Sequence, residues 1–140
     1  GLIAQLITDV PGSSDYFVGG AVTYSNAMKT SLLGVAPELL ASHGAVSEPV
    51  AEAMARGAAA KFDTDYAVAV TGIAGPAGGT PQKPVGLVFL AVADRESATV
   101  RRLRLGCDAP RDIIRRRAAM SALNLLRLRI SSDSGPPTSG

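Results

Sequence analysis

The segment 23–29 gathers several side chains that can do chemistry within about two helical turns. Tyr24 brings a phenol, Ser25 a hydroxyl, Asn26 an amide and Lys29 an amine. A lysine that is desolvated near other positive groups has a lowered pKa and can serve as the base for a serine nucleophile. The alternative is a surface lysine on an exposed helix, which composition alone favours. The residue types leave both interpretations open.

A second candidate is the glycine-rich segment, residues 71–84, which carries four glycines and three prolines. Such a segment cannot continue a strand or begin a long helix, so it predicts a shaped loop. Glycines at the end of a strand let backbone N–H groups approach an anion or a carbonyl, as in phosphate nests and oxyanion holes. The motifs G-x-x-x-x-G-K-[ST] and G-x-G-x-x-G are both absent from it. A proline-stiffened connection without a ligand is an equally good interpretation.

The strands that would position these residues can be predicted from apolar runs. Tyr66–Val70 and Val85–Ala93 are rich in β-prone residues and do not alternate with polar ones, so we expect adjacent core strands covered on both faces by helices. Ala98–Leu105 predicts a strand antiparallel to its predecessor, because Asp94–Ser97 is long enough for a hairpin turn. Phe17–Tyr24 predicts a further strand, with a bulge at its paired glycines.

Helices are predicted from periodicity and capping residues. They are expected over Leu2–Ile7, Ala27–Leu33 and Pro37–Ser42, after a Ser47 N-cap, and after Asp108 and Pro110. This order of elements predicts an α/β fold, a three-layer α/β/α sandwich around a mixed, mostly parallel sheet. The last ten residues, 131–140, consist mainly of serine, glycine and proline, and we expect them to form a disordered tail.

Length and composition bound the class of protein. A chain of 140 residues with 46% apolar residues fits one domain with a sizeable core. Its one cysteine, Cys107, excludes an internal disulfide, and one histidine with one cysteine cannot furnish a typical zinc site. No cofactor is therefore predicted. No apolar run is long enough to span a bilayer and no signal-peptide pattern begins the chain, so we expect a soluble, cytoplasmic protein without a membrane partner.

Basic residues are unevenly distributed, and nine of the 14 fall between Arg101 and Arg129. Such a cluster can meet nucleic acid or a phosphorylated small molecule. A solvated helix face and an edge strand guarded by charge are commoner explanations. Only 4% of residues are aromatic, so stacking on single strands is not expected. We predict no nucleic-acid partner, and a salt-dependent affinity for RNA or DNA would contradict this.

Several motifs occur in a fixed order along the chain. They are Thr23-Tyr24-Ser25-Asn26 with Lys29, His43-Gly44-Ala45-Val46-Ser47, Thr71-Gly72-Ile73-Ala74-Gly75-Pro76 with Gly78-Gly79, and Lys83-Pro84-Val85-Gly86. Together they resemble the CinA C-terminal domain family over roughly residues 1–130. This is the competence/damage-inducible protein family, and its members include nicotinamide-nucleotide amidases.

The resemblance implies hydrolysis of the carboxamide of nicotinamide mononucleotide to nicotinate mononucleotide and ammonia. It implies a metal-independent Ser/Lys mechanism in which Lys29 is the base and Tyr24 the assisting phenol. A homodimer is suggested by the resemblance alone. The implied substrate-binding residues are Asn26, Thr71, Gly72, Ile73, Ala74, Gly75, Gly78, Gly79, Arg111 and Arg115.

The chain departs from the family pattern at its start. The family's nucleophile is the serine of a motif that reads A-E-S-C-T-G-G, and Gly1 matches only the final glycine. We therefore expect the nucleophile, and the strand before it, to lie upstream of Gly1. Residues 1–140 alone are then expected to bind ligand at best. The alternative function is a non-catalytic interaction or nucleotide-binding module of the same family.

Overall fold

The computed structural model describes residues 1–134. In this part of the chain five α-helices and three strands follow one another, with a short 3-10 turn at Ser13–Asp15. The helices are α1 (Leu2–Thr8), α2 (Asn26–Leu33), α3 (Pro37–His43), α4 (Glu48–Phe62) and α5 (Arg111–Asp133). The strands are β1 (Ala67–Gly72), β2 (Leu87–Ala93) and β3 (Ala98–Arg104). We call the connection between β1 and β2, residues 73–86, the glycine loop.

The described strands form one sheet in the order β1-β2-β3, and both pairs are antiparallel. The prediction of a mostly parallel sheet is therefore wrong for this part of the chain. The physical reason is the connections, because a parallel pair needs a crossover, usually a helix, whereas the glycine loop and the hairpin after β2 contain none. The predicted adjacency of the two apolar runs is confirmed by the pairing of β1 with β2.

The central strand β2 is buried along its whole length. Leu87 and Phe89 pack in a cluster with residues of α4, whereas Val88 and Leu90 pack with Ile114 of α5. Successive side chains of a strand point to opposite faces, so this division places α4 and α5 on opposite faces of the sheet. The run 85–93 lacks alternating polar residues because helices cover both of its faces, as predicted.

A close crossing of α4 and α2 sets the position of α2. A Cβ atom on Gly57 would lie 1.9 Å from the backbone oxygen of Leu33, so only glycine allows this approach. Three of the buried α4 side chains, Ala51, Ala55 and Ala59, are also small. The helix α2 can therefore lie directly on α4, and its inward face is buried.

The segment Phe17–Tyr24 is not a strand, contrary to prediction. Val18 and Val22 are 66% and 63% exposed, and no strand within residues 1–134 pairs with the segment. A strand requires a hydrogen-bonded neighbour, and β-prone residue types alone do not supply one. The sequence pattern therefore identified β-prone residues that have no partner strand in the described structure.

The last helix continues beyond the predicted start of the tail at Ser131. It ends at Asp133, whose carboxylate accepts hydrogen bonds from Tyr66 and Arg129. These contacts hold the final turn, and composition could not predict them. The rest of the predicted tail, residues 135–140, lies outside the described residues. Within the described residues, no helix has both the length and the apolarity needed to cross a membrane.

Candidate functional site

Lys29 lies on the buried face of α2. The helix begins at Asn26 because the Ser25 hydroxyl accepts a hydrogen bond from the Met28 N–H at 3.1 Å, and it ends at Gly34 in the left-handed conformation. Lys29 is only 6% exposed, and its ammonium donates a hydrogen bond to the Thr23 carbonyl at 2.7 Å. The interpretation of Lys29 as an exposed surface lysine is therefore wrong.

Burial lowers the pKa of Lys29 below its ordinary value of 10.5, because the surrounding protein solvates the ammonium less well than water does. The described ion pairs involve other residues, so no carboxylate opposes this effect. The Thr23 carbonyl fixes the direction of the side chain without adding a negative charge. A lysine in this setting reaches its neutral form more readily, which is what a general base requires.

Arg111, the first residue of α5, joins two other predicted site residues. Its Nη1 donates a hydrogen bond to the Gly75 carbonyl at 2.8 Å, and its Nη2 donates one to the Tyr24 hydroxyl at 3.3 Å. Tyr24 is 83% exposed, so within the described residues this contact orients the phenol. The structure thus brings together side chains that are 87 positions apart in the sequence.

The predicted glycine-rich segment begins two residues too early. Thr71 and Gly72 belong to β1, where they pair with Phe89 and Val88. The Thr71 hydroxyl is buried and donates a hydrogen bond to the Ala45 carbonyl at 2.8 Å. Ile73 continues the ladder, with its N–H bonded to the Leu87 carbonyl at 2.9 Å. The Thr71 hydroxyl and the Ile73 N–H are therefore used within the fold.

The glycine loop closes around Val85. A Cβ atom on Gly75 would lie 2.7 Å from Val85 Cγ1, and one on Gly79 would lie 2.8 Å from the Val85 nitrogen. Gly75 also has a φ of +73°, which side-chain-bearing residues rarely adopt. Gly78, by contrast, has only Ile73 Cγ2 near its absent Cβ, at 3.9 Å. Packing on Val85 thus shapes the loop, and Gly78 lies on its open side.

The remaining predicted site residues are less directly connected. Asn26 is exposed at the start of α2 and borders a groove between α2 and α3 with Pro37 and Leu40. Arg115 is exposed one helical turn beyond Arg111. Ala74 is half-buried and packs beneath the loop, against the cluster that contains Val88 and Ile114. No described hydrogen bond links the side chain of Asn26 or Arg115 to Lys29 or Tyr24.

Two site contacts were missed by the sequence analysis. The Thr23 carbonyl that holds Lys29 is a backbone group, and residue types carry no signal for it. Lys83 donates a hydrogen bond from Nζ to the His43 carbonyl at 2.5 Å. Its signal was present in the motif Lys83-Pro84-Val85-Gly86, but nothing indicated its partner. Among residues 1–134, no group of three His, Cys, Asp or Glu side chains is placed to hold a metal ion.

The chain matches the family model described as the CinA C-terminal domain over residues 1–130. A putative competence-damage inducible protein of Symbiobacterium thermophilum is 56% identical over 134 residues, which is 91% of this chain and 32% of that protein. A CinA-like protein of Mycobacterium tuberculosis is 52% identical over 138 residues, 98% of this chain and again 32% of the relative. The chain thus spans about a third of the length of these relatives.

Solved structures show the same fold. The competence/damage inducible protein CihA from Agrobacterium tumefaciens has a TM-score of 0.85 and 42% identity, with 92% of this chain and 79% of that chain covered. The competence damage-inducible protein A (ComA) from Klebsiella pneumoniae has a TM-score of 0.88 and 30% identity, with 94% and 80% covered. With the family model matching nearly the whole described chain, this protein belongs to the CinA C-terminal domain family.

Proposed function

We propose that this chain carries the base and the substrate-binding residues of a nicotinamide-nucleotide amidase. The reaction would be hydrolysis of the carboxamide of nicotinamide mononucleotide to nicotinate mononucleotide and ammonia. The observation that supports it most is the buried Lys29, whose pKa is lowered and whose amine is held by the Thr23 carbonyl. Family membership adds the context, although the relatives' names state competence or damage induction and no reaction.

The proposed first step is attack by the serine of the family motif A-E-S-C-T-G-G. Neutral Lys29 takes the hydroxyl proton while the serine oxygen forms a bond to the carboxamide carbon. The C–N bond then breaks, Lys29 returns the proton to the departing ammonia, and an acyl-serine remains. Water next attacks the acyl carbon and loses its proton to Lys29, which passes it to the serine as the ester C–O bond breaks. The products are nicotinate mononucleotide and ammonia, and the serine side chain is regenerated.

Arg111 and Tyr24 have a proposed part in holding the leaving group and the nucleotide. Because Arg111 donates to the Tyr24 oxygen, the phenol proton is free to point toward the reacting carboxamide. Arg111 and Arg115, one turn apart, would face the phosphate of the nucleotide. Neither belongs to a described ion pair, so both keep their positive charge available for an anion.

The open side of the glycine loop completes the proposed site. Gly78 and Gly79 would supply backbone N–H donors to the phosphate or to the developing oxyanion. The close packing of Gly75 and Gly79 on Val85 favours one backbone conformation before ligand binds. Such preorganised donors stabilise developing charge without having to reorient during the reaction.

Substitution of the base tests this proposal. In the native polypeptide, Lys29→Arg keeps the positive charge but cannot act as a base near neutral pH. We expect ammonia release from nicotinamide mononucleotide to fall at least about a hundredfold, the low end for the loss of a general base. Calorimetric binding of the mononucleotide should change far less. Lys29→Met provides a second variant, and circular dichroism checks that both variants are folded.

The matched control is Lys61→Arg, at the exposed last turn of α4, which should leave ammonia release unchanged. Retained turnover in Lys29→Arg would exclude Lys29 as the base, and His43 would become the next candidate. Binding of the mononucleotide without turnover in the unsubstituted native polypeptide would instead favour the non-catalytic nucleotide-binding module.

A further inference from the structure

Lys83 connects the end of the glycine loop to the end of α3. Its Nζ donates a hydrogen bond to the His43 carbonyl at 2.5 Å, across 40 positions of sequence. The side chain is half-buried, and its ammonium bonds to the last carbonyl of α3, a favourable place for a positive charge. This contact is separate from the buried Lys29 and from the contacts of Arg111.

The partner of Lys83 is shaped to receive it. Gly44, directly after His43, has φ 73° and ψ 161°, a conformation that is essentially restricted to glycine. A Cβ atom on Gly44 would lie 3.0 Å from the Lys83 ammonium. Glycine at this position thus both turns the chain out of α3 and leaves room for the ammonium beside the backbone.

The turn that carries Lys83 is closed by its own hydrogen bonds. The Thr80 N–H donates to the Lys83 carbonyl at 2.8 Å, and the Lys83 N–H donates to the Thr80 hydroxyl at 3.0 Å. These hydrogen bonds therefore connect the Lys83 residue to the whole turn 80–83. The turn follows Gly78 and Gly79 directly in the chain. A hydrogen-bonded turn thus joins the loop glycines to Lys83.

The same connection between α3 and α4 also holds the strand that leads into the loop. The Thr71 hydroxyl donates to the Ala45 carbonyl at 2.8 Å, one residue beyond Gly44. On the opposite side, Arg111 of α5 donates to the Gly75 carbonyl. The glycine loop is thus bonded to α5 on one side and to the α3–α4 connection on the other. Lys83 makes the bond to the α3–α4 connection, and we call this contact the tether.

We infer that Lys83 is a positioning residue of the site, which places the backbone donors of Gly78 and Gly79 by tethering the glycine loop to His43 and Gly44. Its effect on substrate rests on the proposed amidase function. Its effect on the loop does not. Because the tether acts on ligand-binding backbone and not on the base, its loss should weaken substrate binding and leave the chemical step nearly intact.

Amide hydrogen exchange in the ligand-free native polypeptide tests the tether directly. The Thr80 and Gly86 N–H groups are hydrogen-bonded within the loop, so their exchange reports its opening. In Lys83→Met we expect Thr80 exchange to accelerate about fivefold, the factor for losing one hydrogen bond of ordinary net strength. Lys83→Arg, which keeps donors and charge, should restore part of the protection. Lys61→Met removes an equal charge at the far end of α4 and should change neither amide.

Steady-state kinetics with nicotinamide mononucleotide tests the role in the site. We expect KM to rise about fivefold in Lys83→Met with kcat changed less than about twofold, the pattern for lost binding. Thr80 exchange that stays within about twofold of the unsubstituted protein would overturn the tether. Accelerated exchange with unchanged KM and kcat would overturn the positioning role. Accelerated exchange in a protein that turns over no mononucleotide would support the tether and refute the amidase function instead.

Discussion

The two ends of the sheet hold their loops by different kinds of contact. At the end with the glycine loop, cationic side chains bond to backbone carbonyls, as Lys29 does to Thr23 and Lys83 to His43. At the opposite end, beside the hairpin between β2 and β3, charged side chains bond to one another. We call that opposite cluster the clasp. It contains Tyr66, Asp94, Ser97, Arg129 and Asp133.

This difference has an electrostatic consequence. A carbonyl accepts a hydrogen bond but leaves the charge of the cation uncompensated, whereas a carboxylate neutralises it. In the clasp, Arg129 lies between Asp94 and Asp133, so its charge is balanced within the fold. At the glycine-loop end, Lys83 and Arg111 belong to no described ion pair. The glycine-loop end therefore keeps positive charge that no described ion pair neutralises, whereas the clasp balances its charges within the fold.

The largest expected effect comes from breaking the strand that both ends share. Val88 of β2 is 2% exposed and packs beneath α5, so Val88→Asp would place an unpaired charge in the core. We expect a loss of about 3–5 kcal/mol in the free energy of unfolding. Unfolding of β2 would disrupt the contacts at the glycine-loop end and in the clasp together. Urea denaturation measures it. Val18→Asp, at a 66% exposed position, should change stability by less than about 0.5 kcal/mol. An equally stable Val88→Asp variant would refute the assigned core.

Much of this sheet could be predicted from the sequence, because its signals are local. The run 85–93 predicted a strand covered on both faces, and Ser25 and Gly34 predicted the bounds of α2 to within a residue. The antiparallel direction of β3 was predicted from its short hairpin turn and is confirmed. The direction of β1 relative to β2 was not predicted, since it depends on the path of the glycine loop. The burial of Lys29 could not be predicted either, since it depends on the close approach of α2 to α4 at Gly57.

The clasp had no signal in the sequence. Its residues come from three separated segments, at 66, 94–97 and 129–133, and each one is an ordinary polar residue in its local context. The nine arginines between Arg101 and Arg129 also have different contacts in the structure. Arg129 pairs within the clasp and Arg111 bonds to Gly75, whereas Arg101, Arg102 and Arg104 are exposed on the edge strand β3. Only tertiary contacts distinguish these roles.

An intermediate effect is expected from weakening the clasp at Asp94. Its carboxylate accepts hydrogen bonds from the Ser97 and Glu96 N–H groups at 2.7 and 2.8 Å, which together with Arg129 lower the pKa of Asp94 from 3.8 to about 2. The pKa is lower in the folded state, so this group stabilises the fold fully above about pH 4, and the contribution is lost as the pH falls through about 2. Asp94→Asn should therefore be less stable at pH 6, and the difference should disappear near pH 2.

Thermal unfolding followed across this pH range measures that difference. Glu52→Gln is the control, because the Glu52–Arg56 pair lies on the exposed surface of α4 and should contribute little. The contrast between the two ends is sharpened if Thr80 exchange in the glycine loop is the same in Asp94→Asn as in the unsubstituted protein. A stability difference that persists undiminished at pH 2 would show that the Asp94 charge is not its origin.

The smallest effect is expected at Tyr66, on the rim of the clasp. Its hydroxyl donates to Asp133 at 2.8 Å, and this hydrogen bond, then burial and the Asp133 charge, raise the pKa of Tyr66 above 10.0. The folded state thus favours the neutral phenol, so the stabilisation is present below pH 10 and is lost as the pH rises through the folded-state pKa. Tyr66→Phe should remove a phenolate absorbance component that titrates above pH 10, and should lower stability only slightly because Arg129 still binds Asp133. Tyr16→Phe, at an exposed position, should leave that component in place. An unchanged high-pH component in Tyr66→Phe would mean that Asp133 and Tyr66 do not interact in solution, and the clasp would then rest on Arg129 alone.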